Sequence, residues 1–142
     1  MQKNSEFIDK LRFSGLRPTK QRLKICEVLF NREKTFHFTI NDLAKTVSNQ
    51  LSEKISLATI YNTVHAFKNK GYLKEISINS DKSYFDTNIS DHHHFFDEDT
   101  NELIDCGDEE IQNAKVKKNI TGKKINSIEI LIKVASDNQN QN

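Results

Sequence analysis

Between residues 39 and 86 the spacing of apolar side chains changes once, and that change limits the fold more than any other feature of the chain. In "TINDLAKTVSNQL", Ile40, Leu43, Ala44, Val47 and Leu51 recur at helical spacing, and in "SLATIYNTVHAFKNKG" Leu57, Ile60, Val64 and Phe67 do the same. Thr39 caps the first helix, with Asp42 three residues on as a weak capping box. Ser56 caps the second, which Gly71 closes. "YLKEISINSDKSYFD" then turns to strand chemistry, two β-rich runs joined by the turn "NSDK". Upstream, a short helix over 5–13 carries Phe7, Ile8 and Leu11 inward. Another has Pro18 in its first turn and Ile25, Val28 and Leu29 on one face. Helices followed by a hairpin are the order of a winged helix-turn-helix, in which the last helix before the hairpin reads DNA.

The remainder is polar. "ELIDC" and the alternating "INSIEILIKVA", with Ile128, Ile130, Ile132 and Val134, read as strands around a weak helix near 107–118. So small a unit is short of core, and pairing with a second copy is a reasonable remedy. The expectation is an α+β protein: a winged-helix DNA-binding domain over 1–88, a hinge near 86–91, a small α/β dimerisation domain over 89–136, and a disordered polar tail over 137–142.

Net charge sharpens this division. Residues 1–79 hold 14 Lys/Arg against 7 Asp/Glu, which is +7, and residues 80–142 hold 7 against 13, which is −6. A basic half suits a polyanion, and an acidic half suits cations. Cys26 and Cys106 stand apart, without a CxxC or a disulfide framework. No segment approaches the ~18 apolar residues that span a bilayer, and the start does not look like a signal peptide, so a cytoplasmic location is expected.

With Leu57, Ile60, Val64 and Phe67 inward, the reading helix shows Ala58, Tyr61, Asn62 and His65 outward, with Ser56 and Thr59 at its head and Lys68 and Asn69 near its end. Their phenol, amide and imidazole groups can bond base edges or phosphates. "LRPTKQR" gathers Arg17, Lys20 and Arg22 as phosphate or minor-groove anchors.

"SDHHHFFDED" holds three of the five histidines. In an extended segment His92 and His94 share one face, roughly 6.6 Å apart along the strand, while His93 points away. Two such imidazoles can converge on one ion at ~2.0–2.1 Å from each nitrogen, with Asp86 and Asp105 completing the shell. A mixed nitrogen and oxygen set suits Fe(II), Mn(II) or Zn(II).

"GLRPTKQR", "SLATIYNTVHAF", "DKSYFDTN" and "SDHHHFF" together resemble the ferric uptake regulator (Fur) family, and within it the iron response regulator (Irr) branch, over about residues 14–106. The resemblance implies a dimeric transcription regulator, not an enzyme, acting on an A/T-rich, inverted-repeat operator in double-stranded DNA. It puts the family's hinge-region metal site on His37, Asp86, His92, His94 and Asp105; His37 enters by resemblance only. It matches Tyr61 and Asn62 to base-contacting positions and Arg17 to a minor-groove contact. A metal held by both lobes would set the angle between two reading heads that must meet half-sites about 34 Å apart.

The departures are specific. Where many members carry a CxxC pair for a structural zinc, this chain has Asp97 and Thr100, so no such zinc is expected. No histidine follows His94, which leaves a further family metal site incomplete, and Cys26 precedes Glu27 rather than the proline of a haem-binding Cys-Pro pair. The Irr branch implies haem as the signal, held by His92, His93 and His94, in control of iron and haem homeostasis. The competing expectation is a direct Fe(II), Mn(II) or peroxide sensor. A metalloenzyme would need a nucleophile or paired acids, and none is evident.

Overall fold

A computed structural model describes residues 2–112 and 114–138. The chain divides into two compact units, Met1–Ile89 and Ser90–Asn142.

The first unit runs α1 (Gln2–Phe13), α2 (Lys20–Phe30), β1 (His37–Phe38), α3 (Ile40–Leu51), α4 (Leu57–Asn69), β2 (Lys74–Asn79) and β3 (Lys82–Asp86). The capping chemistry written in the sequence sets the helix starts. The Thr39 hydroxyl accepts the Asp42 N–H and the Asp42 carboxylate accepts the Thr39 N–H, so the capping box is complete. Ser56 accepts the Thr59 N–H at 3.1 Å. α2 is capped by Thr19, which accepts the Arg22 N–H. Pro18 therefore lies just ahead of the cap and not in the first turn, because the threonine hydroxyl one residue later captures the helix start. α4 ends on Gly71 at φ +80°, with the Tyr72 N–H bonded to the Phe67 carbonyl and the Gly71 N–H to the Lys68 carbonyl. That bonding is a Schellman closure, and it favours glycine.

Leu11, Ile25, Leu29, Leu43, Val47, Ile60, Val64 and Phe67 pack into one core. Each such burial is worth ~1.5–3 kcal/mol, so this face, more than helix propensity, fixes how α4 is rolled. One expectation fails here. Leu57, assigned to the inward face, is 54% exposed, and Thr63 is buried in its stead. Leu57 is the first helical residue, and helical side chains lean toward the N-terminus, so it points beyond the packed turn. Thr63 satisfies its hydroxyl by donating to the Thr59 carbonyl at 2.8 Å.

β2 and β3 form the expected hairpin, with Asn79 opposite Lys82, and β1 adds to the far edge to give the order β1-β3-β2. The sequence gives no sign of β1, a two-residue strand that exists only by pairing His37 with Asp86 and Phe38 with Phe85.

The second unit is a three-stranded sheet in the order β5-β4-β6, from β4 (His93–Asp97), β5 (Glu102–Cys106) and β6 (Leu131–Val134). β4 and β5 are antiparallel; β6 runs parallel to β4. Of the helix expected over 107–118, the described residues show a single 3₁₀ turn, Asp108–Glu110. Ile111, Val116 and Ile120 are five and four residues apart, a spacing that leaves no continuous apolar stripe to pack a helix. The alternating "INSIEILIKVA" is a strand only from Leu131 on, because β4 begins at His93: the Ile130 carbonyl still accepts the His94 N–H at 3.0 Å, and the residues before it lie beyond the end of that strand. Ile104, Val116, Ile120, Ile125, Ile128 and Val134 stay exposed. From residue 139 onward the tail expected to be disordered lies outside the described residues. Among those residues, no helix is long and apolar enough to cross a membrane.

Candidate metal centre and nucleic-acid interface

Each unit presents its own group of metal-type donors. In the first, His37 and Asp86 face each other across the β1–β3 ladder, with His37 Nε2 3.1 Å from Asp86 Oδ2. The Asp86 side chain is fully buried, and its Oδ1 accepts the Asn88 N–H at 2.8 Å. A buried carboxylate is costly without compensating charge or hydrogen bonds, and this one has been built into the sheet.

In the second unit, strand parity does what the sequence predicted. His92 and His94 share a face, their ring centroids 4.4 Å apart. Both reach Asp105 Oδ1 on the neighbouring strand, from Nε2 at 3.1 and 3.3 Å. His94 and Asp105 are ladder partners, so the β4–β5 register itself aligns them.

His93 faces the other way and does different work. Its Nδ1 accepts the Ile130 N–H at 3.0 Å, which fixes the ring proton on Nε2, 2.6 Å from Asp108 Oδ1. The ring thus joins β4 to the start of β6 and to the 3₁₀ turn.

The donor chemistry fits a divalent cation. His92 Nδ1 lies 2.7 Å from the Ser90 carbonyl, which can only accept, so Nδ1 carries the proton. A neutral His92 then turns its Nε2 lone pair on a carboxylate oxygen, two electron-rich atoms at 3.1 Å. Either a second ring proton or a cation resolves that contact. A backbone carbonyl behind the ring is also the usual way a ligating imidazole is oriented. Two donors ~2.1–2.2 Å from one ion at a right angle stand about 3 Å apart, the spacing found in both units. Asp97, by contrast, is spent on the β4–β5 turn, where its Oδ1 accepts the Asp99 and Thr100 N–H groups. Cys26 and Cys106 are buried free thiols. Sequence reasoning missed Ser90, Asp108 and Ile130, whose roles arise from pairings made only in the folded chain.

On the outer face of α4, Ala58, Tyr61 and Asn62 are exposed as expected, whereas His65, also expected there, is half-buried against Tyr61, ring centroids 4.0 Å apart. Ser56 and Thr59 are engaged with each other through their hydroxyls at 2.8 Å, in keeping with a capping role. Arg17 is exposed, whereas Arg22 donates from Nη1 to the Arg17 carbonyl at 2.9 Å and so braces the loop that presents Arg17. Lys20 and Arg22 line one shallow hollow with Thr59 at the head of α4. A 2.7 Å ion pair from Lys68 to Glu75 ties α4 to the wing and holds the Glu75 carboxyl below the usual carboxylate range.

Comparison with known proteins bears on both surfaces. The sequence profile of the ferric uptake regulator family matches residues 13–133. The chain is 33% identical over 100 residues to the "Peroxide operon regulator" of Bacillus subtilis, covering 70% of this chain and 67% of that protein. It is 34% identical over 100 residues to the "Peroxide-responsive repressor PerR" of Staphylococcus aureus, covering 70% and 66%. The matched stretch is thus about two thirds of each relative's length. A solved structure of the ferric uptake regulator from Pseudomonas aeruginosa with manganese superposes with a TM-score of 0.65 at 27% identity, covering 96% of this chain and 98% of that one.

Proposed function

Because the chain belongs to the ferric uptake regulator family, a family of transcription regulators, we propose that it binds an operator as a homodimer under the control of a divalent metal ion. Fe(II) or Mn(II) would be held by His37, Asp86, His92, His94 and Asp105. The observation that carries this reading is the His92–Asp105 contact. With Nδ1 committed to the Ser90 carbonyl, the opposed lone pair and carboxylate suit a cation. The same spacing recurs between His37 Nε2 and Asp86 Oδ2, which adds a second nitrogen and oxygen pair to this reading. Held there, the metal supplies positive charge to two carboxylates and, as Fe(II), one-electron chemistry toward peroxide.

The chain's own residues do the rest. Arg17 and Lys20 anchor phosphates or the minor groove, and Tyr61 and Asn62 read base edges. The apolar side chains left exposed on the second unit are the surface a second copy would cover. The names of the two relatives favour a peroxide-responsive version of the metal reading. The haem-responsive reading instead gives His92, His93 and His94 to a porphyrin iron, at the expense of the His93 bonds to Ile130 and Asp108.

One experiment separates these. A duplex is selected from a random pool with the Mn(II)-loaded protein, and its affinity is measured by fluorescence anisotropy with metal-free, Mn(II)-loaded, anaerobic Fe(II)-loaded and haem-treated protein. Metal control predicts at least tenfold tighter binding with Mn(II) or Fe(II), reversed by chelation. Peroxide then abolishes it irreversibly for the Fe(II) form alone. Equal affinity in the metal-free and metal-loaded arms, with loss only on adding haem, would overturn the metal reading in favour of the haem one.

A further inference from the structure

Aromatic rings of the first unit run without a break from the exposed face of α4 to the strands that carry His37 and Asp86. Tyr61 and His65, one turn apart on α4, have planes inclined at 32°. His65 also meets Phe85 of β3 edge to face, at 5.7 Å and 78°. Phe85 stacks on Phe38 of β1 at 5.7 Å and 25°. Phe38 and Phe85 are ladder partners one position along from His37 and Asp86. Tyr61 is 51% exposed, whereas Phe85 and Phe38 are 2% and 1% exposed.

We infer that His65 is a positioning residue for DNA recognition: its ring wedges between Tyr61 and Phe85 and holds the Tyr61 phenol in one attitude. A half-exposed tyrosine on a helix has two χ1 wells open to it, and selecting one only on binding weakens binding. The tilted ring contact at 4.0 Å makes the selection before DNA arrives. Contacts of this kind weaken steeply as a gap opens, so the position of Phe85 is transmitted through His65 to Tyr61. This rests on the DNA-binding role proposed above for Tyr61. It also goes beyond that role, because it removes His65 from the base-reading set and makes any rearrangement of the His37–Asp86 pair felt at the reading face.

The test has two parts. In the metal-free full-length protein, χ1 couplings and ring shifts of Tyr61 are measured by NMR. Wild type and His65→Phe should show one rotamer, and His65→Ala an average of two; a single rotamer in His65→Ala overturns the inference. On a duplex selected by the wild type, His65→Phe should bind within about twofold of wild type and His65→Ala roughly three- to tenfold more weakly. Equal loss in both variants means that the imidazole itself reads DNA, and this also overturns the inference. Zn(II), being diamagnetic, then reports on the link to the metal donors. If the ligand histidine resonances move, Tyr61 should move with them in wild type and not in His65→Ala, and a Tyr61 unmoved in wild type counts against the inference. If Zn(II) moves no histidine resonance, the metal reading fails while the metal-free comparison still decides on His65.

Discussion

Replacing Asp86 by asparagine separates the structural work of that side chain from the metal binding proposed for it. Asparagine has nearly the same shape and keeps an oxygen to accept the Asn88 N–H, so the buried turn at Oδ1 survives. What it loses is the charge opposite His37 Nε2. At a Mn(II) concentration 100 times the wild-type dissociation constant, binding to the native state alone stabilises by about 2.7 kcal/mol. Disturbing partners of a metal ligand costs about 10- to 100-fold in affinity, and removing a direct donor does at least as much. At the same Mn(II) concentration the variant then keeps only about 1.4 to 0.4 kcal/mol of metal-induced stability. For a cooperative unit the size of Met1–Ile89, at ~4 °C per kcal/mol, wild type gains about 11 °C on adding Mn(II) and Asp86→Asn about 2–6 °C. Thermal unfolding followed by circular dichroism, with and without Mn(II), reads both. A variant that gains as many degrees as wild type is not missing a ligand, and the reasoning from the buried carboxylate is then wrong.

Other consequences follow from particular side chains. Leu57→Ala should change the urea-unfolding free energy by less than about 0.5 kcal/mol, while Ile60→Ala one turn on should cost ~2–5 kcal/mol; comparable losses would return Leu57 to the core. Burial raises the Cys26 thiol to about 12, against the opposing pull of Lys10, so a disulfide reagent at pH 8 should label Cys26 only at the rate of unfolding. Prompt labelling of that thiol in the folded protein contradicts its placement. The hydrogen bond from Lys68 lowers the Glu75 pKa in the native state. Its stabilisation is therefore complete above the ordinary glutamate value and is lost as pH falls from there through the lowered native value. Because the pair is partly exposed, the effect is below about 1 kcal/mol. It should vanish from the acid-unfolding profile of Lys68→Ala, and an unchanged profile in that variant would refute the assignment.

What could be read before folding was whatever depends on neighbours in sequence. Thr39, Asp42 and Ser56 announce helix starts because capping is settled within four residues, and the exposure of Ala58, Tyr61 and Asn62 on α4 follows from a single period. Leu57 obeys the same period and still lies outside, because its burial depends on where the packed neighbours of α4 end. β1 could not be seen: His37 and Phe38 are a strand only because Asp86 and Phe85, nearly fifty residues on, lie beside them. The second unit fails in the same way. β5 and β6 could be recognised, but the parallel pairing of β6 with β4 depends on packing that no local pattern records, and the expected helix gives way to one 3₁₀ turn because its apolar residues form no continuous stripe.

The triple histidine shows where local reading ends and folded context begins. Alternation alone divides it into a pair and a singleton, since a strand cannot aim three consecutive side chains at one point. The pair meets Asp105 because the β4–β5 register sets His94 opposite it, and the Ser90 carbonyl fixes which nitrogen of His92 faces inward. The singleton acts as a strut, its two nitrogens committed to the Ile130 backbone just ahead of β6 and to the acidic turn. Removing all three rings at once therefore confounds loss of donors with loss of the β4–β6 junction. Only single substitutions can assign the metal response, and a His93 variant that keeps it while losing stability is what this division of labour requires.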